Sequence, residues 1–293
     1  MKETLRVAAV ALDSRPGETE DNLAKIDNYT RLATEQGAEL VLLPELSLCG
    51  FMPNHPTGDH QSWLRQALAE SRRLAEPLDG PAVTSLATIA ASYGCLVSAG
   101  LLEDAGNRLF NTHVLVGPDG ALGHWRKMHI PMFETPFYNG GDVPRVIDTP
   151  LGRIGANICF DALLPESTRL LAVDNVEIVL FPFAADPPPA TLEAWQAWAG
   201  PPLRSRCAEN GVFGVACNVA GRVECCDARQ TFPGGGMILG PRGETLAAWN
   251  VESGEAGILI TDLRAETLQA ARAEPEYLFR SRRPELYGRL AER

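Results

Sequence analysis

Short, unbroken apolar runs separated by longer amphipathic stretches constrain this chain more than any other feature. Leu5–Leu12, Leu40–Leu43, Cys95–Leu101 and Ile178–Phe181 read as buried strands. Between the first two, Leu23, Ile26, Tyr29 and Leu32 recur at helical spacing, which predicts a helix over Thr19–Gln36 with Gly37 as its stop. Further helices are expected over Gln61–Leu74 and over Ala82–Tyr93, the latter opened by Gly80-Pro81. Strand and helix in alternation define an α/β fold. Two hairpins follow from turn chemistry. One joins Phe110–Val116 to Ala121–Trp125 through Gly117-Pro118-Asp119-Gly120, and the other joins Gly236–Leu239 to Glu244–Ala248 around Pro241-Arg242-Gly243.

No fixed-period repeat or low-complexity linker divides the 293 residues, so one large domain over 1–271 is the better reading than two smaller ones. The remainder, 272–293, has few core-type residues of its own. It is expected to be a tail that docks on a partner subunit or lies across the body.

The formal net charge of −11 argues against nucleic acid, whose phosphates call for a basic face. No apolar run approaches the roughly 20 residues of a membrane span, and Met1-Lys2-Glu3-Thr4 leads into a strand without the apolar core of a signal peptide. A cytoplasmic protein is expected. The seven cysteines are an odd number without framework spacing, and no C-x-x-C occurs, which argues against both a disulfide scaffold and a zinc site.

Three chemically useful residues stand at predicted strand ends. Glu45 follows Leu40–Pro44, Lys127 follows Ala121–Trp125, and Cys159 follows Arg153–Ile158 just before a turn. Strand ends in α/β folds converge on one edge of the sheet, so a base, a cation and a nucleophile distant in sequence can meet there. Cys159 lies close to a predicted helix start at Pro165-Glu166, where backbone amides can stabilise a thiolate or an oxyanion. Cys95, Cys207 and Cys217, inside apolar runs or helices, read instead as small buried hydrophobes. The apolar neighbours of Glu45 pull it inward, and burial disfavours the charged form of a carboxylate, which suits a general base. His129 offers a Cys-His alternative, since imidazole is the usual partner of a catalytic thiol, but structural support of the lysine loop is the better reading.

The segments Pro44-Glu45-Leu46…Gly50-Phe51, Arg126-Lys127-Met128-His129-Ile130-Pro131 and Asn157-Ile158-Cys159-Phe160-Asp161…Pro165-Glu166 resemble the three signature segments of the nitrilase superfamily of carbon–nitrogen hydrolases. The likeness runs almost from end to end. It implies a four-layer αββα sandwich and a triad of Glu45 as base, Lys127 as oxyanion partner and Cys159 as nucleophile. It also implies a supporting role for Glu134, seven residues after the lysine, and homo-oligomers built from dimers. No metal or organic cofactor is needed, because the triad supplies base, electrophile and nucleophile.

Nitrile-specific members tend to carry Cys-Trp-Glu at the nucleophile. Here Cys159-Phe160-Asp161 leans towards amides. Members acting on N-carbamoyl amino acids often place an arginine just beyond this motif. Ala162-Leu163-Leu164 stand there instead, which weakens that reading. The residues expected to face substrate are Phe51, Phe137, Phe160, Asp161, Phe183 and Ala184, with Phe133 and Tyr138 as further aromatic candidates. Asp161 reads equally as structural. Trp195 and Trp198, three apart, read either as aromatic lining or, more commonly at such spacing, as core on one helical face. The expected activity is therefore hydrolysis of a small, largely apolar amide or ureido compound. A nitrilase is the alternative, and a catalytically dead scaffold a poorer one.

Overall fold

The computed structural model describes residues 1–292. Its first half is a six-stranded sheet built from β1 (Thr4–Ala11), β2 (Leu40–Leu42), β3 (Leu96–Asp104), β4 (Leu109–Gly117), β5 (Gly120–Arg126) and β14 (Gly257–Arg264), ordered β14-β1-β2-β3-β4-β5. The second sheet holds β6 (Ile147–Thr149), β7 (Gly152–Ala156), β8 (Ile178–Phe183), β9 (Phe213–Asn218), β12 (Gly236–Leu239) and β13 (Thr245–Ala248), ordered β13-β12-β9-β8-β7-β6. A separate hairpin, β10 (Ala220–Cys225) with β11 (Ala228–Pro233), projects between β9 and β12. The helices are α1 (Thr19–Glu35), α2 (His60–Leu74), α3 (Pro81–Tyr93), α4 (Pro165–Val173), α5 (Leu192–Asn210) and α6 (Ala265–Ala273).

Alternation along the strands sorts the core into layers. On β1, Leu5, Val7 and Ala9 pack against Ile154, Leu180 and Val215 of the opposite sheet, while Ala8 and Val10 turn towards Ile26 of α1 and Leu86 of α3. On β8, Ile178 and Leu180 face the first sheet, and Val179, Phe181 and Phe183 face Leu171 of α4 and Trp195 and Leu203 of α5. Helices thus cover the outer face of each sheet, and the inner faces pack together. This is the four-layer αββα sandwich that the resemblance implies. Strands buried on both faces are apolar throughout, which is why the runs in the sequence are unbroken.

The structure refines the expected ends. A division at residue 271 falls inside α6, whose last turn carries Arg272. That guanidinium donates to the carbonyls of Gly211 and Val176, and the Tyr277 hydroxyl donates to the Asn210 carbonyl at 2.7 Å. Arg169 lies over the Phe279 ring. The start of the tail therefore rests on the protein's own body. Beyond it Leu286 and Leu290 are 61% and 76% exposed.

Candidate active site

β2, β3 and β5 run the same way, as do β7 and β8, so their C-terminal ends deliver loops to one edge of the sandwich. The loop after β2 is sewn to β3, with the Leu43 and Leu48 amides donating to the carbonyls of Ser98 and Gly100 at 2.8 Å each. This path brings the loop so close that a Cβ on Gly100 would lie 2.1 Å from the Leu46 backbone nitrogen. Leu46 itself takes φ = 53°, in the left-handed region. Glu45 is thereby turned inward and is 0% exposed.

Lys127 is the first residue past β5, its backbone N–H donating to the Asn111 carbonyl on β4 at 2.8 Å. The side chain is also fully buried, and its ammonium donates to Glu45 Oε1 at 2.8 Å and to Glu134 Oε2 at 2.7 Å. Burial alone would lower the Lys127 pKa, but attraction to Glu134 and Glu45 outweighs it and holds the pKa well above the ordinary value. Glu134 also moves up, but there burial prevails over the attraction. Burial, opposed by Lys127, pushes it up to about 7. Two carboxylates around one ammonium leave an excess of negative charge in a dry place.

Glu45 Oε1 also accepts from Asn111 Nδ2 at 2.7 Å, and Oε2 accepts from the Ala184 N–H, just past β8, at 2.8 Å. Cys159 follows β7 by three residues and opens a short 3-10 turn over Cys159–Leu163, with φ = 47°. A non-glycine residue there is strained, and such strain persists where the surroundings demand it. Its thiol is buried within reach of the charges of Glu45, Lys127 and Glu134. Burial first, then the negative charge of Glu45, push the thiol pKa well above its ordinary value. A thiol shifted in this direction calls for a base at the moment of attack.

Of the two readings of Asp161, its contacts favour the structural one. Its buried carboxylate accepts from the backbone N–H groups of Met128 at 3.1 Å and His129 at 2.9 Å, and meets His129 Nδ1 at 2.8 Å. It ties the turn that carries the nucleophile to the loop that carries the lysine. His129 serves that tie and does not reach the thiol as a Cys-His partner would.

Phe183 calls for a correction. It stands on the face of β8 that looks at α5, packed edge-on against Trp195 and Trp198 with ring centroids 5.9 and 6.1 Å away. Strand parity puts it in the helical layer, with Trp195 fully buried beside it. Phe133, at 54% exposure, is on the surface. Phe51, Phe137, Tyr138 and Ala184 do share one buried apolar cluster with Leu46, Met52 and Phe232, directly beside the carboxylates. Phe160, half-buried, lies in the first turn after the nucleophile.

Sequence reasoning missed Asn111. The signal was present as three polar residues, Asn111-Thr112-His113, inside an otherwise apolar strand, since buried polar side chains need a reason to be there. Among the described residues no three His, Cys, Asp or Glu side chains are grouped so as to hold a metal ion.

A buried thiol, a paired lysine and two carboxylates thus gather at one edge of an αββα sandwich. The chain belongs to the carbon-nitrogen hydrolase family, which it matches over residues 6–273, and it is an enzyme of that class acting on non-peptide C–N bonds. It is 30% identical to a nitrilase of Pyrococcus abyssi over 97% of this chain and 100% of the relative. It is 27% identical to an N-carbamoylputrescine amidase of Solanum lycopersicum over 91% of this chain and 88% of the relative. A double mutant of the amidase from Nesterenkonia sp. AN1, solved in complex with acrylamide, superposes with a TM-score of 0.75 at 25% identity, over 97% of this chain and 96% of that one.

Proposed function

We propose that this enzyme is an amidase that cleaves the C–N bond of a small, largely apolar amide or ureido compound through a thioester on Cys159. The observation that carries the reading is the Lys127 ammonium held between Glu45 and Glu134 near the buried Cys159 thiol. Glu45 takes the thiol proton as sulfur attacks the carbonyl carbon. The carbonyl oxygen becomes an oxyanion facing the Lys127 ammonium and the Phe160 N–H. Collapse breaks the C–N bond, and the leaving amine takes the proton held by Glu45. Glu45 then removes a proton from water, which attacks the thioester and releases the acid and the free thiol. Glu134 keeps the ammonium in place.

The aromatic cluster of Phe51, Phe137, Tyr138 and Phe232 favours an apolar acyl group. A nitrilase is the second reading, favoured by the relative from Pyrococcus abyssi. An inactive scaffold is disfavoured because the triad is complete. Among the described residues no helix is long and apolar enough to cross a membrane, and a cytoplasmic enzyme fits the reduced cysteines. The exposed apolar end of the tail fits a homo-oligomer built from dimers. Purified protein offered matched nitriles, amides and ureido compounds, with ammonia detection, tests the reading. Amides or ureido compounds should turn over fastest. A nitrile turned over faster than its matching amide would reverse the assignment.

A further inference from the structure

We infer that Asn111 is a positioning residue that fixes one oxygen of Glu45 so that the other is left to work on the nucleophile. The inference rests on the reading of Glu45 as the base. Asn111 is 1% exposed and lies near the start of β4, on the face that looks between the sheets. It holds both members of the pair. Its side-chain amide donates to Glu45 Oε1 at 2.7 Å, and its backbone carbonyl accepts from the Lys127 N–H at 2.8 Å.

The orientation of the amide follows from chemistry. Oε1 can only accept, so Nδ2 must face it, and turning the group over would set two acceptors together. In the observed orientation Oδ1 is buried and, among the described residues, has no donor. A buried acceptor without a partner costs stability, and its retention points to the value of the contact on the other side.

The two Glu45 oxygens thus differ. Oε1 carries Lys127 and Asn111, whereas Oε2 carries the Ala184 N–H alone. Oε2, the oxygen that the ammonium and Asn111 leave unengaged, is the one free to receive the thiol proton. The other charged and titratable groups that face Glu45 are Lys127, Glu134, Cys159 and Tyr138. Asn111 is the neutral side-chain donor among them. A hydrogen bond to an ionised carboxylate favours the ionised form, and removing the donor disfavours it.

Asn111→Leu, which keeps much of the volume and removes the donor, tests this, with Asn111→Ala as the variant to use should leucine prevent folding. Expected is a kcat lower by about tenfold or more, KM within about threefold, and an acid limb of the kcat/KM profile moved up by about one pH unit. The same displacement should appear in the pH dependence of Cys159 alkylation by iodoacetamide, followed by peptide mass spectrometry, which needs no substrate. Wild-type kinetics in both variants would overturn the inference. So would a loss of rate with the acid limb unmoved in both assays, which is the mark of packing damage alone. An alkylation limb that moves in a protein that hydrolyses none of the offered compounds would leave Asn111 in its role and refute the substrate reading instead.

Discussion

Asp161 clamps His129 twice, its Oδ1 accepting from the backbone N–H at 2.9 Å and meeting ring Nδ1 at 2.8 Å. The contact spans the two halves of the sandwich, because Asp161 belongs to the turn after β7 and His129 to the loop after β5. Nucleophile and lysine are therefore registered to each other by a residue that touches neither reacting atom.

Replacing Asp161 with Asn should loosen that registration. One amide oxygen cannot accept from all three N–H groups, and its NH2 would oppose one of them. Loss of charged hydrogen bonds of this kind costs about 1.5–3 kcal/mol, or roughly 3–6 °C of melting temperature in a chain of this size. Calorimetry and kcat measured together check it. Unchanged stability would show that the clamp is unimportant.

Lys127→Met should be the most damaging change in the site. It leaves Glu45 and Glu134 buried without a counter-charge, and breaking a buried pair from one side costs about 3–5 kcal/mol. Turnover should fall by about a thousandfold or more. The sign of the pH effect follows from the charges left behind. Carboxylates without the lysine have folded pKa values above their unfolded ones, so stability is present at low pH and lost as pH rises. Thermal scans from pH 5 to 8 should show the gap to wild type widening. A gap that narrows would contradict the charge argument.

Cys159→Ala should stay folded and lose turnover by several orders of magnitude. Intact-protein mass spectrometry with a slow substrate should find an acyl adduct on the wild type alone. An adduct retained by the alanine variant would move the nucleophile to another cysteine.

His129 should make stability depend on pH in the neutral range. The hydrogen bond to Asp161, opposed by burial, raises its pKa above the ordinary value. A raised histidine contributes stability that is complete below its unfolded pKa of about 6.5 and disappears as pH climbs through the folded value. The side chain is 42% exposed, so solvent screening keeps the effect small. The melting-temperature advantage of wild type over His129→Gln should shrink between pH 6 and 8. A difference constant across that range would exclude this origin.

If the protein forms the homo-oligomer proposed above, removing residues 282–293 should reduce it to smaller species while leaving the body folded. A full-length protein that is monomeric at micromolar concentration would refute the proposal. The deletion spares Arg272, Tyr277 and Phe279, which rest on the chain's own surface, and removes Leu286, Tyr287 and Leu290, which do not. Exposed apolar side chains of this kind call for a partner, and two-fold pairing closes the contact on itself. Light scattering on the truncated protein decides it. An assembly of unchanged size would place the interface elsewhere.

The residues most legible in the sequence were those whose neighbours left them no other use. Glu45, Lys127 and Cys159 each end an apolar run, and strand direction then dictates that they meet. Glu134 was readable through spacing and resemblance together. Phe183 was misjudged because a six-residue apolar strand carries no internal mark of which face looks at the helices. Only the pairing of β8 with its neighbours supplies that. α5 was obscured by Pro201-Pro202 within it, residues that ordinarily break a helix. β14 pairs with β1 from the opposite end of the chain, a partnership that no local pattern announces. Asp161 and Asn111 act on backbone and on a partner's oxygen, and such roles exist only in three dimensions.

Gly100 offers no acid, base, donor or nucleophile, yet the position of Glu45 depends on the side chain it lacks. The β2 loop passes so near β3 that a single methyl group would collide with the backbone that aims the carboxylate. An inventory of functional groups would pass over this residue. The geometry of the proposed site is written partly in empty volume, and an atom added where no functional group stands would disturb it as surely as one removed from Glu45 itself.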